Sequence, residues 1–257
     1  MRENITPIYY IKNFLNHLTR ETPIYKYIPL RYIGAMQRDR RLIFGAVNNW
    51  EDVYENYFLK QNFLTADGMQ VDSTCVSKNI YGQSWTKCEE SDAMWRIYSS
   101  DKRTIKVRTT AEKLMDVLYD DDRCMADTYI AKVDYQPQHI IEEEYRNLEQ
   151  ERIPVSSFGG GNGINNFIKE SLITKRIEFA HEEEVRIIKM ASMNESAPEY
   201  IEMPFDPDSF FEEFVIDPRV SEQEEMEIRK SLVEAGIDLD KIRKSSLYDL
   251  HKFTLIV

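Results

Sequence analysis

Two spacings of apolar residues along the chain predict a mixture of helices and strands. After Thr6-Pro7, which combines an N-cap with proline at the first helical position, apolar residues recur at helical spacing and predict an opening helix that ends near Glu21. Runs rich in β-branched and aromatic residues predict strands at 24–28, 41–44, 74–77, 105–108, 129–135, 177–190, 211–216 and 252–257. Further helical patterns cover 32–38, 92–98, 111–119, 137–152, 164–174 and 221–236.

The order of these elements indicates the fold class and the number of domains. It contains neither repeated βαβ units nor strands alone, so the class is mixed α+β. A chain of 257 residues that is 42% hydrophobic can fill one core. We therefore expect a single domain over 1–257, in which an N-terminal helix (1–22) precedes an α+β portion (23–257) that carries the site.

The charge balance limits the classes of partner. With 45 acidic against 33 basic residues, the formal net charge is -12, which repels phosphate backbones at long range. We therefore expect no broad coating of nucleic acid. The three cysteines show no C-x-x-C spacing, which argues against a disulfide framework and a structural zinc site, and indicates a reducing compartment. The sequence shows no secretory h-region and no apolar run of roughly 18 residues, so we expect a cytoplasmic protein without a membrane segment.

Acidic residues in the late predicted strand are the best candidates for chemistry. Side chains alternate along a strand, so Glu182, Glu184 and Arg186 are predicted to share one face. Two neighbouring carboxylates repel, which should raise the pKa of at least one, and the arginine should partly offset this. Such a face could orient a hydroxyl, stabilise a cation or hold a divalent metal. We expect this strand to be central and its acidic face to line the main pocket. The alternative interpretation is a solvated edge strand whose charged residues form ion pairs with a neighbouring strand.

Two further segments have a weaker claim to function. Met94, Ile97 and Tyr98 fit a buried helical face, and Trp95 at its border should be at least half buried. The glycine-rich segment 156–163 matches no phosphate-binding motif, so a flexible loop is its default interpretation and a substrate lid is the alternative.

Several motifs together resemble a bacterial family known only as a domain of unknown function. The resemblance runs from about Tyr25 to the C-terminus. The segments that carry it are Tyr25-Lys26-Tyr27, the turn at 51–55, of which Asp52 and Glu55 fit, Ser77, Ala93-Met94-Trp95-Arg96-Ile97-Tyr98, His181-Glu182-Glu183-Glu184-Val185-Arg186, Val215-Ile216-Asp217-Pro218 and Ser246-Leu247.

The arrangement of these motifs is also similar to that of ADP-ribosyltransferases. That resemblance implies a fold of mixed, largely antiparallel central sheets with flanking helices, and NAD as a substrate with no metal. It implies that Glu184 hydrogen-bonds the ribose next to the nicotinamide and favours an oxocarbenium-like state, while Glu182 orients the acceptor nucleophile. The binding residues that it implies are Tyr25, Lys26, Tyr27, Ser77, Trp95, Tyr98 and Arg186.

The function that follows from the resemblance is an NAD-consuming ADP-ribosyltransferase, a bacterial toxin or anti-phage effector that modifies a macromolecule, RNA or protein. Its expected partners are that acceptor and a cognate antitoxin or regulatory protein. Two alternatives stay open. One is a non-catalytic module that binds a protein, and the other is a metal-dependent nuclease that uses Glu182, Glu184 and an acid such as Asp52.

Overall fold

The computed structural model describes residues 13–65, 67–71, 73–119, 128–150, 162–191, 196–250 and 252–254. The strands are β1 (Phe14–Leu15), β2 (Pro23–Pro29), β3 (Arg41–Ala46), β4 (Phe63–Leu64), β5 (Gln70–Val71), β6 (Ile80–Thr86), β7 (Thr104–Thr110), β8 (Thr128–Lys132), β9 (Asp134–Gln136), β10 (Thr174–Arg176), β11 (Glu184–Met190), β12 (Tyr200–Pro204), β13 (Glu213–Ile216) and β14 (Ile242–Lys244). The α-helices are α1 (Leu30–Asp39), α2 (Thr74–Ser77), α3 (Asp92–Tyr98), α4 (Ala111–Tyr119), α5 (Gln138–Gln150), α6 (Asn162–Ile173), α7 (Pro207–Phe210) and α8 (Glu222–Glu234). Shorter 3₁₀ helices cover Val47–Asn49, Phe58–Lys60, Ile177–Glu182 and Leu239–Lys241.

One large sheet organises the described part of the chain. Ten strands belong to it, in the order β1-β8-β11-β6-β2-β7-β13-β14, and β3 branches from β6 with β12 on its outer edge. The pairs β1–β8 and β13–β14 are parallel, whereas the others in this sheet are antiparallel. The predicted mixed α+β class with a largely antiparallel sheet is therefore confirmed.

The sheet opens between β2 and β6. Strand β2 pairs with β7 along its whole length, but it is joined to β6 in the described structure only at Tyr25 and Thr86. Beyond that pair the Lys26 Nζ donates to the backbone carbonyl of Ser84 at 2.7 Å. Because a strand edge without backbone partners leaves its polar groups unsatisfied, this side chain stabilises the edge where the sheet has split. The split leaves room for a cleft.

Strand β11 lies at the centre of the sheet, between β6 and β8. Its Val185 and Ile187 belong to one hydrophobic cluster, which also contains Leu114 of α4. Its Ile188 belongs to a second cluster, together with Leu172 of α6. Burial of each such aliphatic side chain contributes roughly 1.5–3 kcal/mol, so the strand is held from both faces. The expectation that the late strand is central is confirmed.

Several predicted elements are also confirmed by local signals. Ser91 accepts a hydrogen bond from the Met94 amide and caps α3. Ser221 and Glu224 form a reciprocal capping box at the start of α8, and Gly236 follows that helix with a φ of 90°.

Three strand predictions are wrong in whole or in part. Residues 74–77 form helix α2, and the strand begins at Ile80. Residues 177–182 form a 3₁₀ helix, and β11 begins only after Glu183, whose φ of 42° lies in the left-handed region. A left-handed residue cannot continue a pleated strand, so the pairing with β6 and β8 starts at the next residue. Residues 252–254 have no regular structure.

The predicted N-terminal helix lies mainly outside the described residues. In its final part, Phe14 and Leu15 instead form β1, which pairs in parallel with β8. Asn16 and His17 follow with φ values of 55° and 57°, which end regular structure there. The predicted glycine-rich loop at 156–163 also lies outside the described residues, except for its last two positions, which belong to α6. No helix in the described ranges has the length and apolar character needed to cross a membrane.

Candidate active site

A cavity of about 320 Å³ occupies the split in the sheet. Strands β2 and β6, helix α3, the segment after β3 and the start of β11 contribute its walls. The residues that line it are Tyr25, Lys26, Tyr27, Asn49, Trp50, Glu51, Glu55, Ser84, Trp85, Thr86, Met94, Tyr98, Lys175, Glu182 and Glu184. Both carboxylates of the predicted acidic face, Glu182 and Glu184, are among these residues.

Aromatic residues from β2 and α3 form one wall of the cleft. The rings of Tyr27 and Tyr98 stack at a centroid distance of 5.7 Å, and Trp95 meets Tyr27 edge-on at 4.9 Å. Trp95 is completely buried, as predicted, and its indole N–H donates to Glu90 at 2.5 Å. Trp95 therefore supports the Tyr27 ring from behind and is not among the residues that line the cavity.

Two residues of α3 differ from their predicted placement. Ile97 is 53% exposed and Tyr98 is 43% exposed, so neither lies in the core. The Tyr98 hydroxyl instead donates to Glu182 at 2.8 Å across the cleft. The helix is only seven residues long. The carbonyl of Trp95 in its last turn and that of Ser99, just after the helix, accept hydrogen bonds from the Arg219 guanidinium, which fixes this orientation.

The Tyr27 hydroxyl is a candidate hydrogen-bond donor in the cavity wall. It is buried and has no hydrogen-bond partner among the described residues. Burial raises the pKa of this phenol well above its usual range, and nearby Glu90 adds to the effect. A phenol that stays protonated in a cavity wall is a ready hydrogen-bond donor for a ligand.

Glu184 is the most strongly held carboxylate of the site. Its side chain accepts from the Arg186 Nε at 2.9 Å, from the Arg186 Nη2 at 3.0 Å and from the Lys175 Nζ at 3.1 Å. Burial by itself raises the pKa of this carboxyl, but Arg186, Lys175 and a hydrogen bond from Ser84 together lower it to about 2. The sequence argument that repulsion raises a pKa is wrong for Glu184, because two cations outweigh the neighbouring acid.

Lys175 connects the carboxylates to one another. Its Nζ lies 2.6 Å from Glu182, 3.1 Å from Glu184 and 3.3 Å from Glu55. These charges together raise its pKa well above the usual range despite burial. Glu182 does not lie on the strand with Glu184, as its alternation predicted, but on the preceding 3₁₀ helix. The lysine brings the two acids together.

Arg186 lies behind the cavity. It is fully buried, donates to Glu184, to Glu55 and to the Leu172 carbonyl, and places its guanidinium 4.5 Å from the Trp50 ring centroid. Its role in the structure is therefore to orient Glu184 and Glu55. A direct contact with substrate was the expectation, but Arg186 does not line the cavity.

Lys26 adds a cation with an altered pKa to the same cavity. Burial lowers the pKa of its amine to about 8, although Glu184 acts in the opposite direction. At neutral pH most of these amines carry a proton, and a modest rise in pH removes it. The group can therefore bind an anion or accept a proton near physiological pH.

Ser77 is the third predicted binding residue that does not line the cavity, after Trp95 and Arg186. Ser77 is buried at the end of α2 and is not among the residues that line the cavity, whereas Ser84 of β6 is. The prediction expected a strand that ends in serine at 74–77, but the strand that reaches the cleft is the next one. Tyr25, Lys26, Tyr27 and Tyr98 do line the cavity, as do both catalytic candidates.

Sequence reasoning missed Lys175 and underestimated Glu55. Lys175 lies on a three-residue strand that pairs with β9, and no pattern in the sequence marks a buried lysine. Glu55 could have been identified as a candidate, because it fits the corresponding turn of the family of unknown function that the sequence resembles. Asp52 of the same turn makes no ion pair within this cluster among the described residues, and its carboxylate pairs instead with Arg176 at 2.9 Å.

The arrangement has a defined chemical capacity. The acids that line the cavity, Glu51, Glu55, Glu182 and Glu184, outnumber by one the cations Lys26 and Lys175 of its lining and Arg186 behind it, beside a stacked aromatic pair. Such a site favours a flat, positively charged group and can stabilise positive charge that develops in a reaction. Among the described residues, no group of three or more His, Cys, Asp or Glu is arranged to hold a metal ion.

Comparison with known proteins gives a family match over part of the chain. Residues 94–187 match the model of a family described as "Protein of unknown function (DUF2971)". This confirms the predicted resemblance to a family of unknown function over the segment from the second half of α3 into β11. No curated protein matches.

Solved structures of DarT from Thermus sp. 2.9 are similar at low identity. The complex with NAD+ has a TM-score of 0.36 and 10% identity, over 85% of this chain and 92% of that chain. The complex with ADP-ribosylated ssDNA has a TM-score of 0.34 and 12% identity, over 85% of this chain and 91% of that chain. At these values the likeness assigns no activity to this chain.

Proposed function

We propose that this chain is an NAD-consuming ADP-ribosyltransferase and that the cleft in the sheet is its active site. The observation that carries the proposal is a buried carboxylate, Glu184, held ionised beside the stacked rings of Tyr27 and Tyr98. The nicotinamide ring of NAD is flat and positively charged. The aromatic wall and the excess carboxylate are complementary to both properties.

Glu184 is proposed to act on the ribose that loses nicotinamide. Breaking that glycosidic bond develops positive charge on the sugar, so a fixed anion stabilises the transition state more than the ground state. Arg186 and Lys175 hold the carboxylate in place and keep its pKa low, so that it is an anion throughout the physiological range.

Glu182 is proposed to orient the acceptor nucleophile. Its carboxylate is held by the Tyr98 hydroxyl and by Lys175, and it lies nearer the mouth of the cleft than Glu184, with 12% of its side chain exposed against 6%. Correct placement of a nucleophile accelerates the second step without a change in the first. The acceptor is proposed to be a macromolecule, and the biological role that of a toxin or anti-phage effector with a cognate partner.

The metal-dependent nuclease is less well supported by the geometry. Its proposed ligands Glu182 and Glu184 share the Lys175 ammonium, which a divalent cation would have to displace. The third ligand, Asp52, is engaged by Arg176. The interaction-module alternative has no observation that favours it over a catalytic cleft.

The test compares release of nicotinamide and labelling of an acceptor by wild type, Glu184→Gln, Glu182→Gln and Glu183→Gln. We expect Glu184→Gln to lower nicotinamide release about 10²-fold or more, because the charge is lost. Glu182→Gln should impair transfer more than NAD hydrolysis, and the exposed neighbour Glu183→Gln should have no effect. Labelled NAD with single-stranded DNA, RNA and cell protein as separate acceptors identifies the class that is modified.

Folding of each variant is verified by near-UV circular dichroism, since Glu184 also has structural partners. If folded wild-type protein consumes no NAD with any acceptor, or if folded Glu184→Gln retains full activity, the transferase proposal is wrong. Growth inhibition upon expression, abolished by the same variant, would support the toxin role.

A further inference from the structure

A second cavity, of about 330 Å³, lies between α5, α6 and the segment before the 3₁₀ helix at Phe58–Lys60. Four aromatic side chains, Tyr54, Tyr57, Tyr145 and Phe167, and two carboxylates, Glu144 and Glu170, are among the residues that line it. It is separate from the active-site cleft, because the two cavities share no lining residue.

The aromatic rings form a corner. Tyr57 stacks on Tyr54 at a centroid distance of 5.1 Å with an interplanar angle of 15°, and it meets Tyr145 at 4.8 Å with an angle of 79°. Ring faces carry negative electrostatic potential, so a corner built from perpendicular rings attracts a cation of organic size.

The two carboxylates of this cavity lack a compensating cation. Within the described part of the chain, neither Glu144 nor Glu170 pairs with a basic side chain. Glu144 is largely exposed, but its partial desolvation in the cavity wall raises its pKa, and the charges of Glu170 and Asp134 raise it further. A cation that enters the cavity would reduce the repulsion between these two like charges.

The same combination of ring and carboxylate already binds a guanidinium inside this protein. The Arg176 guanidinium lies 5.1 Å from the centroid of the Tyr54 ring and donates to Asp52 at 2.9 Å. Arginine stacks on aromatic faces while its planar fork binds a carboxylate, which a lysine ammonium cannot match. Tyr54 is therefore one ring of the corner and also part of an internal example of the contact.

We propose that this cavity binds the side chain of an arginine presented by a polypeptide partner. The guanidinium would stack on one ring of this corner, direct its N–H edge toward the face of the perpendicular ring, and pair with Glu144 and Glu170. The helix that carries Glu144 presents Glu142 and Glu143 beside it, and the chain has a net charge of -12, so a basic polypeptide is attracted and a nucleic acid is repelled.

The test uses a blocked tripeptide, N-acetyl-Gly-Arg-Gly-amide, titrated into the full chain at low ionic strength and followed by NMR and calorimetry. We expect a Kd on the order of 1 mM, since one stacked and paired side chain supplies only a few favourable contacts. The matched peptide with citrulline, which has the same shape without the charge, should not bind. The lysine peptide should bind more weakly.

Variants locate the binding. Glu144 and Glu170 are exposed, so both can be replaced without loss of the fold. The double variant Glu144→Gln with Glu170→Gln removes both negative charges from the cavity and should weaken binding roughly tenfold. The control is Glu143→Gln, an exposed acid on the same helix outside the cavity lining, and it should leave affinity unchanged.

Equal binding of the citrulline or the lysine peptide overturns the proposal, as does equal weakening by the control substitution. Absence of any binding up to about 10 mM, ten times the expected Kd, also overturns it, as does preferential binding of a single-stranded oligonucleotide. None of these outcomes depends on whether the cleft consumes NAD, so failure here is distinguishable from failure of the transferase proposal.

Discussion

Replacement of Glu184 by glutamine should lower the free energy of unfolding by roughly 3 kcal/mol at neutral pH. The carboxyl has a pKa of about 2 in the folded protein, against an ordinary value of 4.5, and it is only 5% exposed. A tenfold change in an acid constant corresponds to about 1.4 kcal/mol, so the fall in pKa is worth roughly 3 kcal/mol of stability. The glutamine keeps the shape but leaves Arg186 and Lys175 with less negative charge to balance them.

The sign of the pH dependence follows from the depressed pKa. Because the folded protein binds the proton more weakly than the unfolded chain, the stabilisation is complete above about pH 4.5 and is lost as the pH falls toward 2. The difference in stability between wild type and Glu184→Gln should therefore be largest near neutral pH and shrink through that window.

Urea denaturation of wild type, Glu184→Gln and Glu183→Gln measures this effect. Glu183 is the adjacent, exposed acid, so its substitution should change the free energy by no more than about 0.5 kcal/mol. The ion cluster does not stabilise the fold if the two variants unfold at the same urea concentration. A difference between wild type and Glu184→Gln that stays constant from pH 5 down to the acid transition would also contradict the reasoning.

Two further predictions concern Gly82 of β6 and the Lys26 amine. Gly82→Ala should destabilise the protein by about 1–3 kcal/mol, because an added Cβ would lie 2.9 Å from the Ile188 side chain and 3.1 Å from the Trp50 ring. Gly45→Ala is the control and should cost far less, because there is open space around its Cβ. Thermal denaturation of both variants measures the difference. The Lys26 amine should titrate near pH 8 by side-chain NMR, and stability should rise between about pH 8 and 10.5, because the folded protein then binds fewer protons than the unfolded chain. A Lys26 signal that titrates near 10.5 would contradict the second prediction.

Local signals in the sequence were sufficient to predict much of the sheet and its helices. Pro23 and Pro29 bound a β-rich run that is β2, and Ser91 and Ser221 mark the starts of α3 and α8 through side-chain caps. The central place of β11 was predicted from its acidic face, because a functional carboxylate pair needs a cleft that restricts water. These features depend on residues close together in the chain, and that is why they could be recognised without a structure.

The predictions that failed depend on long-range pairing or on the backbone of single residues. At 74–77 the composition suits a strand, yet the chain turns as a helix there, and β6 begins three residues later, where partners on both edges are available. At 177–182 the apolar and charged residues alternate adequately for a strand, but Glu183 adopts a left-handed conformation that ends the preceding 3₁₀ helix. Nothing in the alternation of polar and apolar residues encodes that conformation.

The candidate site shows why charge arguments from neighbouring residues alone reach the wrong sign. Along the sequence, Glu184 has acids at 182 and 183 and one arginine at 186, which suggests repulsion and a raised pKa. In the fold, Lys175 approaches from β10, and the buried Arg186 has no solvent to weaken its attraction. Electrostatic interaction depends on distance and on exclusion of water, and sequence separation sets neither. The pKa of Glu184 is therefore a property of the assembled cleft, and its measurement tests the assembly directly.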